Sequence, residues 1–508
     1  MRPLAILPAL ALLALPIPAA SAQTLIELSS PNSEPGGRFG TAVSSVGDVD
    51  LDGTPDVLVA APGETVGGLA AAGRVYVLSG ATRQVLRTFE SPNPQADGAF
   101  GWSIDSVGDQ NGDGTVDVIV GAPFESRSGA ASAGNVYVLS GANGTDIVSL
   151  TPPQPVANAT WGYAVTEIAN QGAAQVLGAG APGDNQFAAD AGAAFLYRSQ
   201  DGVQFYASLS IPEGTRAGVS VASADFDGDG QGDFAFSAPG ANNPAIRVEP
   251  GGAGQIARFS PPDGATEFGR SLDGVGDRTG DGQADLLVGA FGAVYLYSGA
   301  TSELVRTYAA PEPLGGGDFG LSVAGAGDID DQGAADLIVG APTLDVGGVS
   351  MAGRVYLYAG DSDALLYSVA SPTPSAEGQF GWAVARVGTV DADNLADQVV
   401  GAPGEDDGAG RAYLLLSPPA TSSDPAVEGG LSLSVSPNPA SLAVRVVATA
   451  AAPGTVEVYD PLGRVVATQP LQPQRPLTIS SSAWAPGVYT VRLWVGSESV
   501  TERVVVAR

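Results

Sequence analysis

At 508 residues with no Cys, no His and only Arg as base, the chain excludes disulfide frameworks, thiol nucleophiles, Ser-His catalysis and the usual zinc ligands. Its net charge of −32 argues against nucleic acid and anionic lipid as partners and suits divalent cations. Gly at 70 and Pro at 38 call for many turns, and so for short strands rather than long helices.

Residues 1–22 read as a secretory signal: Arg2, an apolar stretch over 4–15, and a small-residue cleavage site, Ala20-Ser21-Ala22, before Gln23. Pro3, Pro8, Pro16 and Pro18 interrupt that stretch, whereas a membrane span needs about 20 apolar residues. No later segment is long enough to cross a bilayer as a helix. The chain is therefore expected to be exported.

From residue 23 to 417 one phrase repeats seven times. Its copies align on a Gly-Asp at Asp48, Asp109, Asp277 and Asp328, on Ala224-Asp225 in the fourth copy, on Thr389, and on Glu167 in the third copy. A period of about 50–60 residues belongs to propellers and solenoids. The second copy holds four strand-like runs, 101–107, 116–121, 135–140 and 147–150, parted by Asn111-Gly-Asp-Gly, Ala122-Pro123 and Gly141-Ala-Asn-Gly144. Four antiparallel strands repeated seven times predict an all-β, seven-bladed propeller.

The two ends predict how the ring closes. Residues 24–31 (TLIELSSP) resemble 85–92 (VLRTFESP), the fourth strand of the first copy, while the last copy ends at its third strand, 411–417. Pairing the first segment beside the last removes both open edges.

Each acidic loop places oxygen ligands at alternate positions, with a Gly at position six for the sharp bend. The first loop offers Asp48, Asp50, Asp52, the Thr54 carbonyl and Asp56; the second Asp109, Asn111, Asp113, Thr115 and Asp117. The fourth copy offers Asp225, Asp227, Asp229, Gln231 and Asp233; the fifth Asp277, Thr279, Asp281, Gln283 and Asp285. The sixth offers Asp328, Asp330, Gln332, Ala334 through its carbonyl, and Asp336. The seventh keeps Asp391, Asp393 and Asp397, with Thr389 a poor first ligand and Asn394 in place of the Gly. The third copy has no such set and is expected to be empty. All-oxygen ligation favours Ca²⁺ over Mg²⁺, which demands stricter geometry, so about five sites and a weakened sixth are expected, with a structural role.

After a Pro/Ser/Ala-rich linker, 418–430, residues 431–508 alternate as strands of a small β-sandwich. They carry six Arg and four acids, so the negative charge belongs to the propeller.

Phe100-Gly101…Gly121-Ala122-Pro123, Phe319-Gly320…Gly340-Ala341-Pro342 and Phe380-Gly381…Gly401-Ala402-Pro403 resemble the FG-GAP repeat of integrin α-subunit heads. That resemblance covers about 24–417. It implies a seven-bladed propeller with calcium in hairpin loops on one face and ligands met on the other. The departures are the acid-free third copy, Val219 where the fourth should have an aromatic, and Gly289-Ala290-Phe291 without Pro in the fifth. The tail, with Pro437-Asn438-Pro439-Ala440, Pro461-Leu-Gly463 and Pro486-Gly487-Val-Tyr489, resembles the C-terminal sorting domain of type IX secretion. This implies delivery to the outer surface or beyond, with the secretion machinery as a partner.

The loops after each Ala-Pro vary most, and such loops carry a disproportionate share of binding residues. Glu64, Glu125, Arg127, Asp184, Arg247, Asp345 and 405–407 are their polar candidates for an extracellular protein or glycan ligand. Trp102, Trp161 and Trp382 stand beside the Phe-Gly positions and are read as packing residues. No catalytic constellation stands out, so the expected class is a binding or adhesion module rather than an enzyme. A hydrolase using paired carboxylates and a passive scaffold are the alternatives.

Overall fold

In the computed structural model the described residues run over 23–417 and 432–506. The exceptions are short segments at 151–153, 169–174, 187, 199–202, 208–211, 241–243, 251–255, 263, 312–317 and 392, with further ones at 437–442, 450–453, 460–463, 472–476, 481–483, 485–486 and 496–497. The stretches expected to be a signal sequence and a linker, and the tail motifs at 437–440 and 461–463, lie outside them. The chain divides into two compact units between Pro419 and Ala420.

Among the described residues every element is a strand. The first unit holds seven four-stranded antiparallel sheets, the blades of the propeller. Blade 2 runs Ser103–Val107, Asp117–Ala122, Asn135–Leu139 and Asp146–Leu150, within two residues of the runs read from its sequence. In blade 7, Val384–Gly388, Asp397–Ala402 and Arg411–Leu416 are completed by Thr24–Ser29, paired from Thr24↔Leu416 to Ser29↔Arg411. The N-terminal strand thus closes the ring as expected.

The second strand of each blade is buried on both faces (Asp56–Ala61 and Asp336–Ala341 throughout) because its two sides pack against the two neighbouring blades. That is why these strands read as continuous apolar runs with no alternation. One buried cluster fills each blade interface. Between blades 1 and 2, for example, Leu58, Val77 and Phe89 pack with Phe100, Val118 and Tyr137. Leu28 of the closing strand joins Val57, Val59 and Leu414 between blades 7 and 1.

The two ends of the repeated phrase meet between blades. Gly40, at φ +91°, follows Phe39 in blade 1, and a Cβ on Gly401 of blade 7 would lie 1.9 Å from its carbonyl oxygen. The same contact recurs where Gly162 of blade 3 meets Gly121 of blade 2, at 2.0 Å. Backbone approach this close requires Gly. The aromatic before the Gly is a core anchor: Phe39, Phe100, Trp161, Phe268, Phe319 and Phe380 are all fully buried.

Blade 4 corrects the sequence reading. The residue in the anchor position is Ala217, fully buried before Gly218, and not Val219. Phe234 and Phe236, packed 5.7 Å apart in the cluster that holds Ala217, supply the missing ring volume. The tryptophans also divide. Trp161 is an anchor, whereas Trp102 and Trp382 follow the Gly and stay half-exposed.

The second unit has a three-stranded sheet (Ser432–Ser436, Ala443–Thr449, Leu477–Ser480) and a four-stranded one (Val465–Leu471, Gly454–Tyr459, Gly487–Val495, Glu498–Val506). Val456, Val458, Val491 and Leu493 of the larger sheet are fully buried, with Ile479 of the smaller one and Trp484 stacked on Tyr489. No helix among the described residues is long and apolar enough to cross a membrane.

Candidate metal centres

Each acidic loop joins the first strand of its blade to the second, so it lies at the opposite end of the blade from the loop after Ala-Pro. In blades 1, 6 and 7 a register shift at Ser45/Gly47, Gly325/Gly327 and Arg386/Gly388 ends the pairing just before the loop.

One hydrogen-bond pattern recurs in these loops. The first Asp accepts from the backbone at position six: Gly53 to Asp48 at 2.9 Å, Gly114 to Asp109 at 2.8 Å, Gly230 to Asp225, Gly282 to Asp277 and Gly333 to Asp328 each at 2.9 Å. The side chain at position five accepts from position seven, as in Thr54 to Asp52 and Thr115 to Asp113. Position six is left-handed throughout, and in blade 7 Asn394 takes the same conformation at φ +66°. Position four is left-handed too, which sequence reasoning missed. It holds Gly112, Gly228 and Gly280, but also Leu51 (φ +61°, 82% exposed) and Asp331. The Gly in three of the five loops was the available signal.

The ninth-position Asp is buried and doubly anchored. Asp56 accepts from Val49 at 2.8 Å and from Gly80, beyond the third strand, at 3.0 Å. Asp117 does so from Gln110 and Gly141, Asp336 from Ile329 and Gly360, and Asp397 from Val390 and Ser417. Burial, then the neighbouring carboxylates, pushes Asp233 up to about 7 and Asp336 and Asp397 up to about 6. These carboxyls sit where negative charge is disfavoured until a cation joins them.

Carboxylate oxygens converge within 4.8 Å of one another in three loops: Asp48, Asp50 and Asp56; Asp225, Asp227 and Asp229; Asp328, Asp330 and Asp336. Asp52 and Asp233 stand outside these groups. In the second and fifth loops Asn111 and Thr279 take the third position, and the Thr279 hydroxyl donates to Asp281 at 2.7 Å. In the third copy Glu167 turns to accept from Gly108 of blade 2 at 3.1 Å.

The donor set fits a hard cation. It is all oxygen, and the buried Asp328 Oδ1 has no hydrogen-bond partner.

The opposite face revises the candidate ligand contacts. Glu64, Glu125 and Glu405 are fully buried and serve as inter-blade staples. Glu64 accepts from Tyr76 of its own blade and from Ser30, just past the closing strand, each at 2.5 Å. Ser91 and Tyr137 surround Glu125, and Ser371 and Tyr413 surround Glu405. Asp184 is buried as well, whereas Asp345, Asp406 and Asp407 remain exposed. Half-exposed aromatics gather on this face: Trp102 packs on Phe124 and Tyr163 with ring centroids 5.3 and 5.4 Å away.

The first strands of all seven blades line a central cavity of 770 Å³. Asp105 accepts from the Ser106 amide at 2.9 Å and the Ser44 hydroxyl at 3.3 Å, and Asp273 accepts from the Gly325 amide at 2.8 Å. Burial pushes both up to about 6. Folding therefore favours their protonated forms, and the stability they contribute is lost as pH rises from about 4, the unfolded value, through 6. The D105N/D273N protein is expected to melt higher than the native chain at pH 8, with the difference vanishing at pH 4. Differential scanning calorimetry across that range checks this.

Against known families, residues 39–78, 100–139 and 217–257 match the FG-GAP repeat, and 434–507 match the secretion system C-terminal sorting domain. Integrin alpha-IIb of Homo sapiens is 31% identical over 213 residues, covering 37% of this chain and 20% of the relative. Integrin alpha-8 of Gallus gallus is 30% identical over 229 residues (40% and 21%), and integrin alpha-PS2 of Drosophila melanogaster 38% over 114 (21% and 8%). The matched region thus spans about a fifth or less of these relatives. The chain carries FG-GAP repeats, similar to those of integrin α-subunits, on a seven-bladed β-propeller, and ends in a secretion system C-terminal sorting domain that directs it to the cell surface or the extracellular space.

Proposed function

We propose that this is an exported binding or adhesion module whose propeller is steadied by Ca²⁺ in its acidic loops. The converging carboxylates of the first, fourth and sixth loops carry that reading. The ligands are Asp48, Asp50, Asp52, Thr54 and Asp56, with the corresponding positions of the second, fourth, fifth and sixth loops. Asp391, Asp393 and Asp397 make a weaker set. When bound, calcium supplies positive charge to carboxylates already gathered, and it gives nothing to bond-breaking chemistry. Residues 23–417 form the binding part, 418–430 a linker and 431–508 the export address, read by the type IX machinery.

The face away from the metal loops takes the extracellular protein or glycan partner. Half-exposed Trp and Tyr supply contact area at low entropic cost, and such residues dominate binding energy at interfaces. A screen of the purified full chain on protein and glycan arrays, with calcium and with EGTA, tests this. Saturable binding that W102A abolishes is expected; binding unchanged in W102A places the partner elsewhere, and silence on both arrays favours a passive scaffold.

A further inference from the structure

Neighbouring acidic loops are joined by hydrogen bonds, and the joints are unevenly distributed. The Ala284 amide of loop 5 donates to the Asp225 carbonyl of loop 4 at 2.9 Å, and the Gln283 side chain donates to the Asp227 carbonyl at 3.1 Å. Ala284 stands between Gln283 and Asp285, two ligand positions of loop 5, and Asp225 is the first ligand of loop 4. The bond therefore ties the ligand-bearing backbone of one site to that of the next.

Loops 7 and 6 repeat the joint. The Ala396 amide donates to the Asp328 carbonyl at 3.0 Å, again from position eight to position one. Loop 5 also reaches loop 6. The Arg278 guanidinium, whose side chain is only 4% exposed, donates to the Ala335 carbonyl, to the Gly360 carbonyl at 3.1 Å, and lies 3.4 Å from Asp363. Loops 4 to 7 are thereby linked in one arc. Loop 1 stands apart, because its position eight is Pro55, which has no amide hydrogen to donate to blade 7. Among the described residues no hydrogen bond joins loop 1 to another acidic loop.

We infer that calcium binding is cooperative along the arc of loops 4 to 7 and independent at loop 1. An ion that orders loop 5 fixes the Ala284 amide, which holds Asp225 in place. The ion entering loop 4 then meets a smaller ordering cost. The same joint lets the weakened loop 7 support loop 6, giving a function to a loop whose own first ligand is poor. This inference rests on the calcium reading above.

Loop 1 also supplies the means of testing it. Pro55 shows that proline is accepted at position eight, where it sits against Gly388 of the preceding blade. A284P therefore removes the bridging amide, and Q283A removes the side-chain bridge to Asp227 while keeping the position-seven carbonyl, so every ligand stays in place. Hydrogen exchange of the full chain, followed by mass spectrometry during a Ca²⁺ titration, reads each loop separately. D281N, which disables loop 5, is expected to raise the calcium midpoint of the 225–233 peptide about fivefold. Q283A/A284P, which removes both bridges, is expected to do the same by itself, and D281N in that background to add nothing, with the 48–56 peptide unmoved throughout.

A midpoint of loop 4 that ignores D281N overturns the inference, as does a D281N shift that persists undiminished in Q283A/A284P. Absence of calcium-dependent protection in every loop, loop 1 included, overturns the calcium reading itself. Unchanged protection of Asp233–Ala238 reports that Q283A/A284P is folded, and A396P, read at loop 6, repeats the test if it is not.

Discussion

Chelating calcium with EGTA is expected to lower the melting temperature of the full chain by about 13–26 °C. An ion held only by the folded state stabilises it by mass action, about 2.7 kcal/mol for each site at a hundredfold excess over Kd. About five filled loops then contribute on the order of 13 kcal/mol. At roughly 1–2 °C per kcal/mol for a unit of this size, the shift is large. Charge acts in the same direction. The net −32 falls mainly on the propeller, and the ninth-position carboxyls are buried beside others, so the ion-free fold holds repulsion that the unfolded chain relaxes. Calorimetry with calcium and with EGTA measures the shift, and isothermal titration counts the ions. An unchanged melting temperature would show that the loops are ordinary turns, and no stabilising role for metal would survive.

Glu64→Ala is expected to cost about 3 kcal/mol, because it strips the acceptor from two buried hydroxyls at the ring's closure. Tyr76 and Ser30 each donate to Glu64 at 2.5 Å. Arg74 lies 3.3 Å away but keeps Glu90 at 2.8 Å, so the arginine is not left uncompensated. Ser30 follows the strand borrowed from the N-terminus, so the staple fixes to blade 1 the segment that leaves blade 7's closing strand. Glu64→Gln is expected to recover part of the loss, since one carboxylate acceptor survives as an amide oxygen. Thermal unfolding of both variants decides the point; equal melting temperatures for E64A and the native chain would mean that the closure does not depend on this staple.

Much of the propeller is legible in the residues themselves. The Phe-Gly and Gly-Ala-Pro frame marks each blade, and the likeness of 24–31 to 85–92 identifies the closing strand before any pairing is seen. Asn394 in its left-handed conformation also follows from the residue type. The candidate ligand contacts show where such reading stops. A Glu two residues after Ala-Pro looks like a loop carboxylate offered to a partner, and only the arrival of Ser30, Ser91 or Ser371 from the preceding blade buries it. Val219 failed for the same reason. The anchor is defined by what packs across the blade interface, and Phe234 and Phe236 fill that space from another strand.

Local sequence by itself determined the blades, their number, the acidic loops with their position-six turns, and the export address. Those features depend on alternation, turn chemistry and short-range spacing, which a chain carries within about 60 residues. Only the tertiary structure decided which carboxylates converge, which are buried as staples, which acids face the central cavity, and which loops are joined. Each of these depends on contacts between blades, where residues distant in sequence compete for the same space and the same hydrogen-bond donors.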